Sequence, residues 1–242
     1  MGLCTNLSGM SVGYSHDVGG FSGTCPDPEV LFPDLLPIIR SYLEFHYKLK
    51  PYIYTLYVHH VHYRSEPLIR LVFCDHQHDV DTYEQQFDFM LGSSLLIAPY
   101  LPFNTAWYHY QTGKYYGVDQ GQWVNVPAAL KDEAAPLLIK AGSLICFGKA
   151  MKNIHESADN ERRIQIFPEH SEDLNVTKEF SRKTFVLCED DGDTMYRELG
   201  NAYVEIYVWM EEGETEIHVG LEIVKDRFFP YYDTIWVACL IA

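Results

Sequence analysis

The sequence predicts a mainly β protein, and three observations carry that expectation. Short apolar runs recur between glycine-containing turns from Leu68 onward. Ile217, Val219, Leu221 and Ile223 alternate with Glu216, His218, Gly220 and Glu222, the period of two that marks a half-buried antiparallel strand. Only one long stretch, from Tyr42 to Leu56, carries the spacing of a helix.

In chain order, residues 1–33 are rich in Gly, Ser and Pro and hold one strand candidate, Met10-Ser-Val-Gly13. Tyr42, Phe45, Leu49, Tyr52 and Leu56 then recur three and four apart, which draws one apolar face on a helix. Pro51 falls inside that helix and predicts a kink, or two helices meeting. Strands are expected at Leu68–Phe73, around Phe87, Phe89 and Leu91, at Ser94–Ala98, Trp107–Tyr110, Gln122–Val126 and Pro136–Ile139. Residues 149–163 are polar and read as a linker. Strands resume at Ile164–Phe167, Lys183–Leu187, Val204–Val208 and Ile217–Ile223.

The chain has 242 residues and is 47% hydrophobic, enough for a sizeable core in one or two domains. Its formal net charge of -16 argues against nucleic acid as a partner, which needs clustered Lys and Arg, and against an anionic membrane surface. No apolar run is long enough to span a membrane and no leader peptide is read at the N-terminus. A neutral ligand such as a sugar is compatible with this charge. The cysteines, Cys4, Cys25, Cys74, Cys146, Cys188 and Cys239, are not spaced for zinc and read as buried free thiols. Two sequons, at Asn6 and Asn175, leave the compartment open.

Gly13-Tyr-Ser-His-Asp-Val-Gly-Gly-Phe21 places His16 and Asp17 on a glycine turn directly after a strand candidate. A plain turn is one reading. The other is a strand end that presents Asp17 to a ligand while the glycines let backbone approach closely.

The order of motifs is informative. Asn6-Leu-Ser-Gly-Met10 and Gly13–Phe21 resemble the NLSG and GHDIGGF signature of glycoside hydrolase family 31, the α-glucosidase and α-xylosidase family. Tyr47–Thr55 resembles its YRLLPYIYT helix, and Glu66–Arg70 its EPLIRP. Phe87–Pro99 is similar to DQFMLGDSLLVAPV, Trp107–Gly113 to WYDFWTG and Ile139–Ile145 to VRAGSIIP. Ile166–Pro168 and Glu189–Gly192 resemble the distal FP and YEDDG motifs.

The resemblance implies the C-terminal remnant of a (β/α)8 barrel over residues 1–82, from the seventh strand to the eighth helix. Two antiparallel β-sandwich domains would follow, a proximal one over 83–150 and a distal one over 151–242. Asp17 would lie at the end of the seventh strand, where such barrels hold their active sites. It would hydrogen-bond a substrate hydroxyl with His16 beside it, and Arg40 would match the family's substrate-site arginine. Ser41-Tyr42 stands where that arginine's histidine partner belongs. The family's nucleophile and acid/base lie in DMNE-like and SGD-like motifs that precede the GHDIGGF signature. Neither motif occurs in these 242 residues, so no catalytic residue is assigned.

No cofactor and no metal are expected. His59, His60 and His62, followed by Asp75, His76, His78 and Asp79, follow no ligand spacing and read as helix-end histidines. Glu189–Asp193 reads as a tight turn rather than a calcium loop. Trp107, Tyr108, Tyr110, Tyr115, Tyr116 and Trp123 read mainly as cross-strand packing, with sugar stacking as the other reading. The functional expectation is part of a retaining α-glycosidase, inactive alone, acting on an α-glucoside or α-xyloside. Its expected partners are carbohydrate and the remaining barrel, or a second copy by self-association. A non-catalytic carbohydrate-binding β-module and a degenerate gene product are the other readings.

Overall fold

In a computed structural model the structure describes residues 36–85, 88–117, 121–124, 136–151, 159–169, 182–192, 203–213, 216–230, 232 and 234–240. The expected apolar helix stripe is present. Tyr42 and Phe45 are half-buried while Leu49, Tyr52 and Leu56 are buried. Pro51 splits the stripe between two helices, α1 (Leu36–Lys48) and α2 (Lys50–Leu56). It sits in the first turn of α2, where a helix has no use for the missing N–H. A π-helical turn, Tyr57–His62, continues α2.

Fourteen strands follow among the described residues, in four sheets. The first sheet runs β1 (Ile69–Leu71), β2 (Phe89–Leu91), β3 (Leu95–Ile97), β8 (Leu137–Lys140), β5 (Trp107–His109) and β6 (Tyr115–Tyr116), each pair antiparallel. A two-stranded ribbon, β4 (Tyr100–Leu101) with β7 (Gln122–Trp123), lies beside it in sequence. The second sheet is β14 (Ile235–Cys239), β10 (Arg162–Phe167) and β9 (Ser143–Phe147). The third is β11 (Arg182–Asp190), β12 (Tyr203–Glu212) and β13 (Ile217–Asp226). The chain is thus mainly β, with several antiparallel sheets, as expected.

Three apolar cores tie these sheets together. Leu96, Trp107 and Leu138 point to one side of the first sheet, into a core with Val72, Met90 and Leu101. Leu95, Tyr108, Leu137 and Ile139 point to the other side. There they meet Leu49, Tyr52 and Leu56 of the helices and Ile145, Phe147 and Phe167 of the second sheet. The opposite face of the second sheet, Leu144, Cys146, Ile164 and Ile166, packs with Leu187, Val204, Ile206, Val208 and Met210 of the third. Central strands therefore have cover on both faces, which is why they read as short continuous apolar runs.

Four features depart from the sequence expectations. Arg162, at the end of the polar stretch, is a strand residue only 4% exposed. β14 pairs with β10 in parallel, within an otherwise antiparallel framework. Cys146 and Cys188 are buried free thiols, but Cys74 and Cys239 are exposed. β13 pairs antiparallel with β12 as its alternation predicts, yet Leu221 and Ile223 remain 46% and 60% exposed. The cause is position: β13 is the outer strand of its sheet, so only Val219 packs against the core.

Asp88, just before β2, is 5% exposed, and its Oδ2 has no hydrogen-bond partner among the described residues. Burial pushes its carboxyl up to about 6, against a Tyr100 backbone N–H that works to lower it. The folded state therefore holds this proton more tightly than the unfolded chain. The stabilisation is fully present below about pH 4 and is lost as pH rises through the folded value. Asp88→Asn is expected to raise stability at pH 7 by about 1–2 kcal/mol and to flatten the pH dependence between about 4 and 6. Urea unfolding at a series of pH values checks this; an unchanged slope in the variant would refute it.

Candidate functional site

His16 and Asp17 lie outside the described residues. Arg40 lies on α1, exposed, with no carboxylate partner among the described residues. The described structure therefore brings none of the three sequence-derived site residues together. What it does define is a pair of clefts on either side of α2.

One cleft, about 720 Å³, is lined by His46, Tyr54, Asp159, Arg162, Glu189 and Asp190 among others. Its carboxylates are already engaged. Arg162 donates from Nε to Glu189 Oε1 at 2.5 Å and from Nη2 to Glu189 Oε2 at 3.0 Å. It also donates to Asp159 at 2.7 and 3.1 Å and to the Glu161 carbonyl at 2.8 Å. Burial works to lower the guanidinium's pKa, but the two carboxylates outweigh it and keep Arg162 charged. Tyr232 adds a hydroxyl to Glu189 at 3.3 Å and places its ring under the guanidinium. Asp190 accepts from the Tyr54 hydroxyl and from the Gly192 N–H, the latter closing a turn with Gly192 at φ 70°. Carboxylates held this way position chain segments and are not free for general acid–base work.

The other cleft, about 490 Å³, lies between α2 with its π-helical turn, the β8–β9 turn and the start of β11. Its walls are polar and include Arg64, Ser93, Lys140, Glu169, Arg182 and Lys183. The π-helical turn had no signal in the sequence; it arises where α2 continues past the apolar stripe. It puts His59 on this cleft, where burial lowers the imidazole pKa, and His60 beside Glu66 at 2.7 Å. His76 and Asp79 lie elsewhere, on the loop after β1. Asp79 caps a 3-10 turn and accepts from the Tyr100 hydroxyl at 3.0 and 3.1 Å.

Of the aromatics weighed from sequence, Trp107 and Tyr108 are completely buried, while Tyr110, Tyr115 and Tyr116 are half-buried. Trp123 stands 65% exposed, beside Tyr100 at 5.3 Å between ring centres.

Comparison with known proteins assigns this architecture a class. A dextranase from Flavobacterium johnsoniae shares it with a TM-score of 0.71 at 23% identity, over 86% of this chain and 26% of that one. An α-xylosidase from Xanthomonas citri shares it with a TM-score of 0.66 at 21% identity, over 86% and 22% of the two chains. This chain shares its fold with a part of each of these two proteins.

Residues 65–145 match the glycosyl hydrolase family 31 C-terminal domain. α-Glucosidase 2 of Bacillus thermoamyloliquefaciens is 30% identical over 75% of this chain and 22% of its own length. The α-xylosidase of Saccharolobus solfataricus is 26% identical over 76% of this chain and 24% of its own length. The chain belongs to glycoside hydrolase family 31 and carries a C-terminal portion of it. It spans about a quarter or less of the length of these two relatives.

Proposed function

We propose that these residues form the part of a retaining α-glycosidase that adjoins and completes its catalytic barrel, and that they do not hydrolyse glycosides alone. One observation carries this reading. Helix α1 is apolar on two sides. Phe45 packs inward on Tyr110 at 4.7 Å and on Phe147 at 6.1 Å, joining the helix to the first and second sheets. Ile39 and Leu43, four apart on another face, are 39% exposed, with Tyr47 at 36% a turn further on. A helix between a β-domain and a barrel needs two such faces, whereas a terminal surface helix needs one.

In the complete enzyme the chemistry would be double displacement, with two carboxyl groups roughly 5 Å apart serving as nucleophile and acid/base. On this reading both lie outside the present sequence. Asp17 and His16 would contact the sugar, and Arg40 would orient a carboxylate at its rim. An α-glucoside or α-xyloside is the substrate class that the named activities of the relatives favour. A sugar-binding role through the aromatics has less support, since of the six weighed only Trp123 is largely exposed.

The purified chain is expected to release no p-nitrophenol from p-nitrophenyl α-glucoside or α-xyloside above the buffer rate. Turnover that survives repurification and disappears in Asp17→Asn would overturn the proposal.

A further inference from the structure

Large apolar side chains left exposed are concentrated late in the chain. Among the described residues, Ile217, Leu221, Ile223 and Val224 on β13 and Trp236 and Val237 on β14 are each at least 36% exposed. β13 and β14 are outer strands of the third and second sheets, which pack on each other. β13 is the longer, ten residues against five. Its far edge presents backbone N–H and C=O groups with no neighbouring strand among the described residues.

The two faces of β13 differ. Val219, Leu221 and Ile223 stand opposite Met210, Val208 and Ile206 of β12, so they share the core-facing side. On the other side His218, Gly220 and Glu222 stand opposite Glu211, Trp209 and Tyr207. His218 and Glu222 are exposed there, and His218 lies 3.0 Å from Glu216. Gly220 lies under the Trp209 ring, which a Cβ would meet at 2.2 Å. Outer strands are commonly protected by a proline, a bulge or an inward-pointing charge. From Ile217 to Ile223 this strand has no proline, and every core-facing position is apolar. Its register shift falls only beyond Ile223, between the pairs Ile206–Ile223 and Glu205–Lys225.

We propose that β13 is an interface with a second copy of this chain, the two strands pairing edge to edge and antiparallel about a twofold axis through Gly220. The inference is independent of the proposed glycosidase role. A twofold axis normal to the sheet reverses the strand and keeps each face on its own side, so residues equally far from the axis meet. Centred on Gly220, Ile217 stands opposite the second copy's Ile223, Val219 opposite its Leu221 and His218 opposite its Glu222. Apolar residues gather on one face, and a donor meets a carboxylate on the other, each pairing occurring twice. Neighbouring centres lack this match. A centre at Val219 sets Glu216 opposite Glu222, and one at Glu222 sets that carboxylate opposite itself, both destabilising. A centre at Leu221 sets Glu222 opposite Gly220, so the polar match is lost. The pairing joins two three-stranded sheets into one of six strands and satisfies both open edges.

Sedimentation velocity of the full chain across the micromolar range tests the proposal, and a reversible monomer–dimer equilibrium is the expected result. Leu221→Lys places a charge on the apolar face of the pairing and is expected to weaken the dimer about ten-fold or more. His218→Glu sets like charges opposite each other twice and is expected to weaken it about five-fold. Adding Glu222→Lys to His218→Glu restores unlike charges in this register and is expected to recover most of the affinity. Leu43→Lys, on the exposed face of α1, and Trp236→Lys, on β14, are expected to leave the dimer unchanged and so separate this interface from association through other apolar surfaces. Circular dichroism and thermal unfolding check that each variant is folded; should Leu221→Lys not fold, the charge exchange at the exposed His218 and Glu222 decides the matter. A monomer at every concentration, oligomers beyond the dimer, a charge exchange that recovers nothing, or a dimer that dissolves in Leu43→Lys or Trp236→Lys and persists in Leu221→Lys would overturn the proposal.

Discussion

Replacing Arg162 by Met is expected to cost about 3–5 kcal/mol of unfolding free energy, because it removes one partner of a buried ion pair and leaves the other charged. The guanidinium side chain is 5% exposed and Glu189 12%, so water cannot compensate the stranded carboxylate. Asp159, at 40% exposed, is solvated and loses far less. The damage should therefore centre on Glu189. Arg162→Met with Glu189→Leu is expected to recover most of the loss, since an apolar pair of similar volume often replaces a buried ion pair without cost. Urea unfolding followed by circular dichroism decides the matter. A loss below about 1 kcal/mol in the single variant would mean that the network is solvated and the packing around it loose.

Trp107→Ala is expected to destabilise by about 3–5 kcal/mol, and Trp107→Phe by much less. Trp107 is completely buried in the core on one side of the first sheet, on a central strand paired with β8 and β6. Truncation to Ala leaves a cavity among Met90, Leu96, Leu138 and their neighbours, which rigid strands cannot fill by collapsing. Phe retains most of the volume. It also removes the indole Nε1, a buried N–H with no partner among the described residues. No hydrogen bond is lost with that group, so the Phe variant escapes the usual cost of a broken polar contact. Thermal unfolding of the two variants side by side checks the ordering. Equal losses would show that the indole N–H matters after all.

The helix stripe from Tyr42 to Leu56 and the strand runs around Leu95, Trp107 and Leu138 are legible in the amino-acid sequence. Each rests on a local repeat, and burial follows from it directly. The split at Pro51 is legible for the same reason, since its effect is confined to the backbone beside it. The antiparallel pairing of β13 with β12 agrees with its alternation, but its exposure does not, because a repeat of two tells which residues share a face and not whether another layer covers it. The π-helical turn at Tyr57–His62 leaves no pattern, and the mixture of His and Val there suits a helix end equally well.

By itself the sequence determined the family, through motifs whose order survives without any geometry, and the mainly β class, through local periodicity. It also nominated His16, Asp17 and Arg40 on motif grounds alone. Tertiary structure decided what depends on residues far apart in the chain. Arg162 belongs to a polar stretch in sequence, yet it anchors a buried ion-pair network because Glu189, 27 positions later, returns beside it in the fold. His59, Glu169, Arg182 and Lys183 are inconspicuous singly in the sequence, and only the meeting of the π-helical turn, the β8–β9 turn and β11 brings them to one polar cleft. Charge acts through space, so its concentration follows the packing of elements and not the order of the chain.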